Sequence, residues 1–223
     1  MAGIKLIEVK QSIFEQNNYT ADELRAYLKE KGVYMINLMA SPGAGKTTTL
    51  MRLIDMLKAE MRIGVMEADI DATVDAEKIA SVGAKSIQLH TGGMCHMDAD
   101  MTRQGLDEFG IDDLDLVVLE NVGNLVCPAE FDTGAVENVM ILSVPEGDDK
   151  PLKYPLMFQV SNLVLINKID AKCIFDFDNE VVRKRILQRN PNAEIIFISA
   201  KTGEGFEKLA GWVKRKVKEW KNF

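Results

Sequence analysis

Several short stretches of this chain combine residue types that do chemistry. Residues 40 to 49 read ASPGAGKTTT, in which Gly43 and Gly45 frame a turn just ahead of Lys46. Glycines there let backbone N–H groups come close to an anion, and the lysine adds charge. Glu120 opens ENVG, Asn167 opens NKID, and Ser199 opens SAKTG. Cys95 and His96 stand side by side in TGGMCHMDAD, and Cys127 opens CPAEFD. A neighbouring thiol and imidazole can bind a metal, form a nucleophilic pair, or be chance neighbours. Nothing nearby supplies the orienting group or the acyl site that a nucleophilic pair needs.

Such residues act only if a scaffold positions them. The chain has 223 residues, 47% hydrophobic and 27% charged, which suits one compact unit whose core needs no staples. A net charge of -7 excludes the basic footprint of a nucleic-acid binder. No apolar run is long enough to span a bilayer, and the opening MAGIKLIEVKQSIF lacks the apolar run of a leader. Three cysteines are too few and too odd in number for a disulfide framework. A cytoplasmic protein with no nucleic-acid and no membrane partner is therefore expected.

Seven apolar runs, VYMINLM, RIGVMEA, KSIQLH, DLVVLE, NVMILSV, LVLINK and AEIIFIS, alternate with helical patterns. Strands that are apolar throughout must be covered on both faces. The prediction is an α/β three-layer sandwich with a mostly parallel central sheet. In YTADELRAYLKEKG, Thr20 and Glu23 read as a capping box and Gly32 as a stop, so a helix is expected from Thr20. Residues 1–32 read as a helical N-terminal extension to a domain spanning 33–223.

In such a sheet ligands bind beyond the carboxyl ends of the strands, and each reactive stretch follows an apolar run. ASPGAGKTTT matches the P-loop pattern except at its first position, where Ala40 replaces Gly. The backbone from Gly43 through Ala44 and Gly45 to Thr48 is expected to cradle phosphates. Lys46 would neutralise the β and γ charges, and Thr47 would offer its hydroxyl to Mg²⁺. Asp170 can accept from both N1–H and N2–H₂ of guanine, a donor pair that adenine lacks. Asn167 can brace that loop, and the stem of Lys168 can cover the base. In SAKTG the Ala200 N–H, between Ser199 and Lys201, is expected to meet the guanine O6. Two guanine elements in order after a P-loop predict a GTP-binding domain of the P-loop NTPase, G-domain-like kind.

Glu120 ends its run where many such domains carry D-x-x-G. It is expected to hold Mg²⁺ through water, with Gly123 offering an N–H to the γ-phosphate. Lys46, Thr47 and Glu120 are thus the catalytic candidates. Asp69 and Asp75 are candidates for the magnesium or the switch, or else helix caps and solvated acids. Asn124 stands where a glutamine would orient the attacking water, so intrinsic hydrolysis should be slow.

Together SPGAGKTTT, EADIDATVDAEK, TGGMCHMDAD, ENVGNLVCPAEFD, EGDDKPLKYP, NKID and SAKTG resemble the HypB family of hydrogenase-maturation nickel-insertion P-loop GTPases. The resemblance spans about residues 33 to 220. It implies GTP hydrolysis coupled to nickel loading of the hydrogenase large subunit, a maturation partner, and a homodimer promoted by GTP. It also implies that EGDDKPLKYP, with Lys150 and Lys153, lies near the dimer interface. Cys95, His96 and Cys127 become a metal site of soft or borderline ligands, suited to Ni²⁺ or Zn²⁺.

Adjacent side chains diverge on a regular element, so one metal can use both Cys95 and His96 only in a turn. Otherwise they face different metals or different subunits. Three ligands leave a tetrahedral site open for water or for a second chain's set. Cys173 reads as a small apolar residue and His90 as a hydrogen-bonded loop histidine. Residues 1–32 hold neither Cys nor His, unlike relatives with an N-terminal metal motif, and Ser41 replaces the extra lysine of related dimeric ATPases. Two alternatives stay open. One is the urease-type nickel-insertion GTPase, which carries Cys-Pro-His in the corresponding loop. The other is a GTP-held dimer with a merely structural zinc.

Overall fold

The seven apolar runs become seven strands, each ending where its run gives way to turn or polar residues. They are β1 (Tyr34–Ala40), β2 (Ile63–Asp69), β3 (Lys85–His90), β4 (Leu116–Glu120), β5 (Glu137–Ser143), β6 (Leu163–Asn167) and β7 (Glu194–Phe197). The computed structural model describes residues 9–69 and 79–222. Asp75 lies outside them, as does the side chain of Asp69.

The strands form one sheet in the order β3-β2-β4-β1-β5-β6-β7, and every pairing is parallel. The expected mostly parallel sheet is thus parallel throughout the described residues. Helices α1 (Val9–Lys31), α2 (Lys46–Leu57), α3 (Ala99–Phe109), α4 (Cys127–Glu130), α5 (Lys150–Lys153), α6 (Pro155–Val160), α7 (Asn179–Arg189) and α8 (Phe206–Asn222) make the connections and cover the faces.

Alternation along β1 shows how one strand serves two layers. Tyr34, Ile36 and Leu38 pack against Leu50 and Leu53 of α2 and Trp212 and Val213 of α8. Met35 points the other way, into a cluster with Leu24 and Leu28 of α1 and Leu106 and Phe109 of α3. Further along the sheet Met140, Leu142, Val164 and Ile166 pack on Phe158 of α6 and Val182 and Ile186 of α7. Fully burying a side chain such as Phe158 contributes about 2 kcal/mol.

The first helix departs from expectation. α1 already runs from Val9, and Thr20 is buried in its interior, so Thr20 and Glu23 are no capping box. Nothing in VKQSIFEQNN breaks a helix, and of its two asparagines the buried one, Asn17, spends its side chain on tertiary partners instead of the local backbone. The predicted stop is correct. Gly32 takes φ +66, and its N–H bonds to the Lys29 carbonyl at 3.1 Å.

β1 lies between β4 and β5, and the chain fills first one side of the sheet and then the other. With all strands parallel, the segments after β1, β3, β4 and β6 leave from one edge. That is where an open α/β sheet holds its ligands.

Candidate functional site

At this edge β1 ends at Ala40 and α2 begins at Lys46, with Gly43 and Gly45 both at positive φ (+74 and +100). Glycine is required twice over at position 45. Besides the left-handed φ, a Cβ there would stand 2.6 Å from Asn167 Nδ2. That amide, 1% exposed, donates to the Ala44 carbonyl at 2.9 Å, and its Oδ1 accepts the N–H groups of Lys168 at 2.8 Å and Ala200 at 3.1 Å. One buried side chain therefore ties the P-loop, NKID and SAKTG together, which is the bracing expected of Asn167.

Lys168 is the one non-glycine residue at positive φ among the described residues (+62), and its Nζ donates to the Gly43 carbonyl at 2.7 Å. Backbone strain of this kind persists only where its surroundings over-determine it. Asp170 is exposed, and Ser199 Oγ donates to its Oδ1 at 2.6 Å. The Ala200 N–H expected at guanine O6 points here to Asn167. A residue that sequence reading missed also shapes this pocket. Arg52 of α2 donates through Nε to the Ala200 carbonyl at 3.0 Å and through a terminal nitrogen to the Lys201 carbonyl at 3.1 Å. It belongs to no motif, so only the packing of α2 beside SAKTG reveals it.

Where the P-loop enters α2, Thr47 Oγ1 donates to Glu120 Oε1 at 3.1 Å, and Glu120 is 7% exposed. A Cβ on Gly123 would lie 3.2 Å from Pro42 Cγ and 3.4 Å from Lys46 Nζ, so ENVG rests directly on the P-loop. Glu67 of β2 sits opposite Glu120 in register and is also buried. Its place within the apolar run RIGVMEA gives it no local signal of a ligand role. Two buried carboxylates beside a hydroxyl are oxygen donors of the kind a hard divalent cation takes. Asn124 turns away from this end: its Oδ1 accepts the Val126 N–H at 2.8 Å, and its Nδ2 reaches the Cys95 carbonyl at 3.5 Å.

Cys95 and His96 lie in the irregular segment between β3 and α3, and Cys127 opens α4. The turn required for both neighbours to serve one metal is present. One ligand atom from each of the three residues lies within 4.8 Å of the others, and Cys95 Sγ is 3.8 Å from His96 Nδ1. The imidazole stacks on Phe131, with centroids 4.0 Å apart and planes at 15°.

The His96 Nε2 is buried with no hydrogen-bond partner among the described residues, which is costly unless a ligand occupies it. Burial lowers the pKa of His96, against the opposing pull of Asp98 and Glu130, and so favours the neutral form that binds metal. The Cys127 side chain beside it, followed by burial, raises the thiol of Cys95, so a thiolate there needs a cation. An S/N/S set with these properties fits Ni²⁺ or Zn²⁺. Cys173 is exposed, and Met97 is a core residue at 1% exposure.

In EGDDKPLKYP the charges are already paired within the chain. Asp149 holds Lys153 at 2.6 Å, Arg185 holds Asp148 at 2.5 Å, and Glu146 lies 3.9 Å from Lys150.

Residues 34–197 match the family model described as "CobW/HypB/UreG, nucleotide-binding domain". The hydrogenase maturation factor HypB of Rhizobium leguminosarum bv. viciae is 40% identical over 213 residues, covering 96% of this chain and 71% of that protein. The probable hydrogenase maturation factor HypB of Methanocaldococcus jannaschii is 36% identical over 218 residues, 98% of this chain and 99% of that one. The crystal structure of HypB from Helicobacter pylori in complex with nickel is 36% identical, with a TM-score of 0.85 over 92% of this chain and 96% of that one. With that agreement in sequence and fold across nearly its whole length, the chain belongs to the HypB family of the CobW/HypB/UreG nucleotide-binding proteins.

Proposed function

We propose that this protein is a GTP-hydrolysing metallochaperone that delivers nickel to a hydrogenase during its maturation. The observation that carries this reading is the short path from Glu120 to Cys127. One segment begins at the carboxylate bonded to Thr47 and ends at a thiol of the Cys95–His96–Cys127 cluster. A change at the γ-phosphate therefore bears directly on a metal ligand.

Under this reading the backbone from Gly43 to Thr48 and the Lys46 ammonium hold the phosphates, and Gly123 meets the γ-phosphate. Asp170, Lys168, Asn167 and the loop from Ser199 to Lys201 hold guanine. Thr47 and Glu120 would hold Mg²⁺, with Asp75, while Asp69 borders the nucleotide. Magnesium, when bound, offsets the charge that develops as the γ-phosphoryl group transfers. Nickel is cargo, and zinc competes for the same three ligands. We place the protein in the cytoplasm, with a maturation partner and the hydrogenase large subunit as its contacts. Residues 33–223 form the GTPase unit, with 1–32 as its helical extension.

Phosphate release from GTP tests the enzymatic half. Slow turnover by the wild type, lost in Lys46→Ala, is the expected result. No turnover by the wild type, alone or with metal, would favour a binding switch instead. A second expected result concerns assembly. Met94, Val126, Leu152 and Leu156 are exposed at 44%, 50%, 47% and 40% on segments that follow β3, β4 and β5. Closure around GTP would cover them, so GTP or a non-hydrolysable analogue should raise the dimer fraction, and GDP less. Sedimentation with each nucleotide decides this, and a monomer in every state would sink it.

A further inference from the structure

One side chain outside both sites bridges the two segments that carry the metal ligands. Asn17 of α1 is 8% exposed. Its Oδ1 accepts the Ala99 N–H at 2.9 Å, and its Nδ2 donates to the Asp132 carbonyl at 2.9 Å. Ala99 stands just beyond His96 in the chain, and Asp132 just beyond Cys127. An amide is the side chain that carries an acceptor and a donor on one rigid plane, so these two bonds set the spacing of the two segments.

Neighbouring contacts reinforce the bridge. Phe14 of α1 packs on Phe131 with centroids 5.0 Å apart, and Phe131 in turn stacks on His96. Arg25, further along α1, holds both carboxylate oxygens of Asp132 at 2.9 and 2.7 Å. Helix propensity does not account for a buried asparagine here, because asparagine is a poor residue for a helix interior.

We propose that Asn17 is a positioning residue of the metal site, with α1 acting as the strut that holds Cys95 and His96 at ligand distance from Cys127. The inference rests on the reading of those three residues as metal ligands. It makes α1 part of the metal site although the helix contributes no ligand. Loosening Asn17 should spread the ligand set and leave the nucleotide pocket, which α1 does not form, as it was.

The test is nickel titration of the full chain, followed by the thiolate-to-nickel charge-transfer absorption, alongside GTP titration and urea unfolding. Asn17→Ala should weaken nickel binding about 10- to 100-fold, as loss of a ligand-orienting contact typically does, with GTP affinity unchanged. If Asn17→Ala does not fold, Asn17→Asp carries the test. It keeps the shape and the acceptor for Ala99 but loses the donor to Asp132, and it should shift nickel affinity the same way. Leu28→Val, trimming a fully buried residue in the other half of α1, should lower stability without moving nickel affinity. Cys95→Ser should weaken the absorption band to what the Cys127 thiolate alone supplies.

Wild-type nickel affinity in the Asn17 variants, with the band weakened in Cys95→Ser, overturns the role of Asn17 alone. An equal loss of affinity in Leu28→Val overturns it too, because general loosening would then suffice. An unchanged band in Cys95→Ser removes the metal site itself and this inference with it.

Discussion

Asp170→Asn is expected to weaken GTP binding by about 2–4 kcal/mol, the loss of a charge-assisted pair of hydrogen bonds. In the proposed base pocket the carboxylate would accept from two guanine donors, whereas the asparagine amide would turn a donor of its own toward them. Xanthosine triphosphate, with a carbonyl in place of the exocyclic amine, should gain where GTP loses. The structure makes this variant a clean probe. Ser199 Oγ holds Oδ1 of Asp170 at 2.6 Å, and an amide oxygen can keep that bond, so the loop should survive. Titration of both proteins with both nucleotides measures the effect. Undiminished GTP affinity in Asp170→Asn would take Asp170 out of the base pocket.

Cys127→Ala is expected both to weaken metal binding and to abolish the coupling between metal and nucleotide. Linkage is reciprocal: whatever factor GTP changes metal affinity by, metal changes GTP affinity by the same factor. A coupling of about 1–3 kcal/mol, or roughly 5- to 150-fold, is typical. Asn124, beside Gly123, also reaches the Cys95 carbonyl, so both ligand loops have a contact with the switch segment. Cys95→Ala should weaken metal binding with less effect on the coupling. In neither variant should nucleotide binding itself suffer.

Acid adds a second signature. Binding requires thiolate and neutral imidazole, and the raised thiol of Cys95 keeps protons competing with metal through the neutral range. Metal affinity should therefore fall with each step to lower pH. Metal titrations of the wild type and both variants, each with GDP and with a GTP analogue, decide the matter. Identical wild-type affinity in the two nucleotide states would make the metal site structural.

The seven strands and their covering helices were legible in the sequence because each strand is a run of apolar residues ended by a motif. Both the period and the punctuation are local properties. ASPGAGKTTT and NKID were legible for a related reason: their chemistry depends on backbone geometry that glycine, proline and short polar residues dictate within a few positions. The start of the first helix was misread from the same kind of local signal. Thr20 and Glu23 have the spacing of a cap, and only the packing of α1 shows Thr20 buried inside it.

What the sequence by itself determined is the inventory: a P-loop, the NKID and SAKTG stretches, two thiols and an imidazole, each on a segment that follows a strand. The tertiary structure decided which of these meet. Glu67 faces Glu120 because β2 pairs with β4, a neighbour distant in sequence. Arg52 braces SAKTG, and Asn17 spans the two ligand segments, because helices packed on opposite faces of the sheet bring them there. Contacts of this kind join residues far apart in the chain, and no local period or turn signal encodes them. They follow from the strand order and from the burial of two helix faces, which only the folded chain establishes.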